Sequence, residues 1–206
     1  MNYPKFKAAM KLFPLFSVQE IKKNFPGFDS RRLVEWQKKG YIKKLRNRYY
    51  CFSDKKIDEP FLYYTANELY RPSYVSMESA LSYYGFIPEG VFQITSCSTL
   101  KTNSFNTPVS KFSYRHIKPL LFFGYKLKSK NNYRYAIAEP EKTLIDYLYL
   151  HSEITEIADI RALRWNPSVI SNSISMDVIS RYEIFIDSPA LTKRLSILKS
   201  FLNVNT

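Results

Sequence analysis

The sequence predicts an α+β fold in two parts: a small helix-rich front over residues 1–55, and a mixed α/β part with a helical tail over residues 60–206. Three observations carry this expectation. Helix start and stop signals crowd the front and give way to two short β-prone runs. Charge is uneven, with 13 Lys and Arg against 3 Asp and Glu in residues 1–50, a net of +10 in a chain whose total is +13. An acidic connector broken by Pro60 then leads into β-branched stretches followed by amphipathic ones.

The front reads as helix, helix, helix, hairpin. A first helix is predicted over residues 4–13, closed by Pro14. Ser17 with Glu20 forms a capping-box pattern and opens a second helix that ends before Pro26. Asp29 or Ser30 caps a third, with Leu33 and Trp36 as its apolar stripe and Gly40 as its left-handed stop. "YIKKL" and "RYYCF" follow as strands around Arg46-Asn47, where Asn47 tolerates positive φ.

This order is that of a winged helix-turn-helix, whose third helix can enter the DNA major groove while the hairpin lies along the backbone. Residues 29–52 carry eight basic side chains and two acidic ones. Arg31, Arg32, Glu35, Lys38 and Lys39 point away from the Leu33/Trp36 stripe and are the candidates to read or position bases. Lys43, Lys44, Arg46 and Arg48 decorate the hairpin and suit phosphates. The plain alternative is a solvated basic face, or a winged helix that contacts protein.

In the second part, Ser76 is expected to cap a short helix stopped by Gly85. "VFQITSCST", "KFSYRHIK" and "YRYAIAE" read as strands. "EPEKTLIDYLYLHS" reads as a strong helix with Pro140 in its first turn, and three further helices follow it, the last starting at Ser188-Pro189.

Several function classes are excluded at this level. Cys51 and Cys97 suit neither a disulfide framework nor a zinc site, and His116 and His151 lack metal-ligand spacing. No Walker loop, GxGxxG or GxSxG occurs, so no catalytic residue, metal or cofactor is expected. No apolar run reaches the ~20 residues of a membrane span and no signal peptide is read, so a cytoplasmic protein is expected. Glu139 and Glu141 read as helix capping, and Lys142 with Asp146 as an (i, i+4) pair on one helix face worth only ~0.2–0.5 kcal/mol.

Three stretches together resemble a known family. "RRLVEWQKKGYIKKLRNRYYCF" is similar to the N-terminal winged helix of AbiEi-type antitoxins. "PSYVSMESALSYYGF" resembles that family's Ser-x-x-Ser-Ala-Leu helix, with Ser76 and Ser79 in the serine positions. "AEPEKTLID" is similar to its Glu-Lys-Thr-Leu-x-Asp helix, with Glu141, Lys142 and Asp146 in place. One departure lies in the hairpin, where the family tends to have Gly and this chain has Arg48; Asn47 could take the positive φ instead. The resemblance implies an antitoxin of a type IV toxin–antitoxin system linked to abortive phage infection. It implies repression of its own operon through inverted-repeat operator DNA. It also implies a functional link to an AbiEii-type nucleotidyltransferase toxin without a stable complex.

Other readings stay open. A ligand-sensing repressor would use a pocket closed by Tyr83, Tyr84 and Phe86. A metal nuclease would use Glu139, Glu141, Lys142 and Asp146.

Overall fold

The computed structural model describes residues 1–46, 48–131 and 133–204. Over these residues the chain is α+β. Asn2 caps α1 (Tyr3–Met10) by accepting from Lys5 N at 3.1 Å. Two residues, β1 (Phe16–Ser17), then pair with Tyr50 and Tyr49. This strand was not expected, because two residues are too short to show a period. Ser17 opens α2 (Val18–Asn24) with the full reciprocal capping box: its Oγ accepts from Glu20 N, and Glu20 accepts from Ser17 N.

Helix α3 (Arg31–Lys38) begins without a side-chain bond from Ser30; Asp29 Oδ1 accepts from Arg31 N at 3.0 Å instead. It ends where Gly40 takes φ +71°, a conformation that costs glycine no Cβ clash. The hairpin follows as β2 (Ile42–Arg46) and β3 (Tyr49–Phe52), giving an antiparallel sheet of order β1-β3-β2. Asn47 lies outside the described residues; Arg48 itself holds φ +73°. Phe6, Phe16, Ile21, Leu33, Trp36, Ile42 and Phe52 form one core, with the Phe6 ring 4.6 Å from Trp36 and 5.4 Å from Phe16.

Helix α4 (Glu59–Leu69), capped by Asp58, leads into a six-stranded mixed sheet. Its strands are β4 (Ser73–Val75), β5 (Gln93–Ser98), β6 (Asn103–Asn106), β7 (Lys111–His116), β8 (Tyr125–Lys130) and β9 (Tyr133–Ala138), in the order β6-β7-β5-β4-β9-β8. The pairs β5/β7 and β4/β9 are parallel and the others antiparallel. The period of two divides the strands between the faces. Val75, Ile94, Phe112, Tyr114 and Ile137 meet α4, whereas Tyr74, Cys97, Ala136 and Ala138 meet the helices of the other face. Those helices are α5 (Glu78–Tyr83), α6 (Pro140–Leu150), α7 (Ile157–Ala162), α8 (Pro167–Ser173), α9 (Met176–Ile186) and α10 (Pro189–Val204).

One expectation needs correction, and further features add to the sequence reading. Ser73–Val75 is a strand, and Met77 rather than Ser76 stands at the start of α5, with φ +55°. β6, β8 and α8 were not foreseen, since polar edge strands and a two-turn helix give weak periodicity. The two parts are also joined by more than a connector. Leu15, Leu45 and Cys51 are buried in the same cluster as Phe61, Tyr114 and Ile137.

Candidate nucleic-acid interface

Residues 31, 34, 35 and 38 recur at i, i+3, i+4 and i+7, so they form one stripe of α3 opposite buried Leu33 and Trp36. All four are exposed. Val34 is 54% exposed, an apolar residue on this face that the charge pattern could not single out. Arg31 is wide open to solvent and bonds Asp29 through Nε at 3.0 Å, which holds the Asp29 carboxyl below its usual range. Glu35 accepts from Lys39 Nζ at 2.7 Å, so that hydrogen bond lowers the carboxyl and raises the amine. Arg32 is half-buried beside the Phe25–Asp29 loop, and Lys38 has no ion pair among the described residues. The α3 cations therefore divide: Arg31 and Lys39 have acidic partners, and Lys38 is free to meet an anion.

On the hairpin, Lys44 and Arg48 are exposed and Lys43 half-exposed. Arg46 differs. The register shifts between Lys44 and Arg46, a bulge that breaks the alternation and turns Leu45 inward. Arg46 Nη1 then donates to Leu69 O at 2.7 Å, and its guanidinium lies 3.6 Å from the Phe105 ring centroid. This side chain is engaged with the second part of the molecule. A bulge is not visible in sequence alternation, which is why all four hairpin cations read alike.

Of the motif residues of the second part, Ser76, Ser79, Lys142 and Asp146 are buried together. Lys142 is 0% exposed and ion-paired with Asp146, which is 1% exposed. Lys142 Nζ donates to Tyr74 Oη at 2.8 Å; Tyr74 Oη and Ser76 Oγ donate to Asp146 Oδ2 at 2.9 and 2.8 Å. Burial, followed by the Asp146 charge, pushes the Tyr74 hydroxyl well above its usual range. Gly124, at φ +67°, lets the backbone approach the Lys142 stem so closely that an added Cβ would stand 3.1 Å from it.

Ser79 joins through Thr95. Ser79 N donates to Thr95 Oγ1, and Thr95 Oγ1 donates to the Ser76 carbonyl at 2.7 Å. Glu141 stands apart, accepting from Ser175 N at 2.8 Å. The expected (i, i+4) pair is present, and the structure places it in the core. An ion pair so deep is held by its hydrogen bonds, which offset the cost of removing charge from water.

The four residues of the nuclease alternative are not assembled. Glu139 pairs with Lys126 and Tyr182, Glu141 with Ser175, and Lys142 with Asp146. The aromatics of the ligand-pocket alternative belong to the core: Phe86 is buried and Tyr84 Oη donates to Ala138 O at 2.7 Å. Among the described residues, no group of three or more His, Cys, Asp or Glu could hold a metal ion, and no helix is long and apolar enough to cross a membrane. Both cysteines are buried; burial pushes the Cys51 thiol up to about 11 and raises Cys97 as well.

The chain matches no family model and no curated protein.

Proposed function

We propose that the front of this chain is a winged helix that binds double-stranded DNA, with α3 in the major groove and the β2–β3 hairpin on the phosphates. The observation that supports this reading most is that the Arg31/Val34/Glu35/Lys38 stripe is exposed, as are the hairpin cations Lys44 and Arg48, with Lys43 half-exposed. Arg31 can exchange Asp29 for a guanine edge, Val34 can touch a thymine methyl, and Glu35 can accept from a cytosine amine. The hairpin cations and Lys38 release counterions from phosphates. Arg46 is left out of the DNA set.

In the cell, we propose that this binding represses the chain's own operon and that the chain is an antitoxin of the type IV class. The Ser76, Ser79, Lys142 and Asp146 positions support that role by resemblance, and they act by fixing the shape of the second part. The test is a mobility shift on DNA upstream of the chain's own reading frame, with a growth assay in which the adjacent gene is induced alone and together with the full chain. A shift lost in Lys43→Glu/Lys44→Glu/Arg48→Glu, and rescue of growth, are the expected results. Unshifted DNA removes the repressor role, and growth arrest that the full chain fails to relieve removes the antitoxin role.

A further inference from the structure

The sheet leaves a gap beside β9. This strand covers Tyr133–Ala138, yet it meets β4 at one pair, Val75 with Ile137. Where β4 falls short, Asn67 of α4 replaces it, its Oδ1 accepting from Ala136 N at 2.6 Å. A cleft of about 340 Å³ results, between the end of α4, the start of β4 and the edge strand β8. That volume lies at the lower end of small-molecule sites.

The lining has two characters. Phe122, Tyr125 and Leu127 form an apolar wall, with the Phe122 and Tyr125 rings 5.3 Å apart and Leu127 58% exposed. Arg71 and Arg134 supply positive charge. Arg71 is paired with Glu68, whereas Arg134 is exposed and has no ion pair or hydrogen bond from its side chain among the described residues.

Two further lining residues carry polar atoms without partners. Asn67 Nδ2 and Ser73 Oγ are shielded from water and make no hydrogen bond among the described residues, and Ser73 as a whole is 9% exposed. Buried polar groups are nearly always satisfied, so two orphans lining one cleft ask for a third party. An amide N–H and a hydroxyl suit the oxygens of an anion after a small side-chain rotation. An arginine without an ion pair suits its charge, and the partly exposed Tyr125 ring, backed by Tyr74, with exposed Leu127 beside it suits a flat ring.

We propose that this cleft binds a small anionic ligand with a planar ring, of the nucleoside monophosphate class. The ring lies against Tyr125 and Leu127, and the phosphate is held by Arg134 with Ser73 and Asn67. The proposal is independent of the DNA reading, since none of these residues is on α3 or the hairpin. It is tested by calorimetric titration of the full chain with the four ribonucleoside 5′-monophosphates, with the matching nucleosides, and with inorganic phosphate. At least one monophosphate is expected to bind saturably and about tenfold or more tighter than its nucleoside and than phosphate. Arg134→Glu is expected to abolish that binding with the circular dichroism unchanged, and Ser73→Ala to weaken it severalfold. The proposal is overturned if no monophosphate binds. It is also overturned if inorganic phosphate binds as tightly as the best nucleotide, or if a folded Arg134→Glu chain binds as well as the wild type.

Discussion

Lys142 is the residue whose setting differs most from what its spacing implies. A lysine four places before an aspartate on a helix normally marks a solvated pair. Here both charges are sealed under Tyr74, Ser76 and Gly124. Lys142→Met leaves the Asp146 carboxylate buried alone and should cost ~3–5 kcal/mol in urea denaturation, while Lys142→Met with Asp146→Leu should recover much of that loss. A single variant no less stable than the double would contradict the pairing. Burial was not legible at this position, because tertiary neighbours seventy residues away in sequence decide it. The cysteines were legible as plain thiols. With the Cys51 thiol raised to about 11, the folded chain keeps a proton that the unfolded chain releases near 9, so this group's stabilisation is present below pH 9 and is lost as pH rises towards 11. Ellman's reagent at pH 8 should therefore leave both thiols untouched until the chain is unfolded; prompt reaction of the native chain would refute their burial.

At the scale of elements, capping and stop signals carried the most information. The Ser17/Glu20 box, the Gly40 stop and the Pro140 start all stand where sequence chemistry put them. The limits came from elements without a period of their own. β1 has two residues, and the bulge in β2 reverses which side chains face inward. That bulge separates Arg46 from Lys43, Lys44 and Arg48, and the separation can be measured. Arg46→Ala removes the charge-assisted bond to Leu69 O and the contact with Phe105, and should cost ~1.5–3 kcal/mol of stability. It should leave the salt dependence of DNA binding unchanged. Each of Lys43→Ala, Lys44→Ala and Arg48→Ala should instead lower the salt slope by about 1 with little change in stability. A slope reduced by Arg46→Ala would return that residue to the phosphate set.

For the whole molecule, the α+β class and the order of front and back were readable from charge and punctuation. The seam between them was not, since Leu15, Leu45 and Cys51 look like any apolar residue until the hairpin is folded against α4. Residues 60–206 alone would lose Leu15, Leu45 and Cys51 from the cluster they share with Phe61, so this fragment should melt below the full chain or bind a hydrophobic dye. A fragment as stable as the parent would mean that the shared core contributes nothing. The seam also bears on the DNA reading, because Arg46 ties the hairpin to the end of α4.

On the proposed reading, the α3 stripe and the open hairpin cations meet double-stranded DNA through its phosphates. The most direct measurement is fluorescence anisotropy of the full chain on a duplex from its own upstream region, across a series of salt concentrations. With about 6 phosphates contacted, the plot of log affinity against log salt should have a slope near −5, and Lys43→Ala/Lys44→Ala/Arg48→Ala should flatten it by about 3. A slope near zero, or the same slope in the triple variant, would contradict the claim.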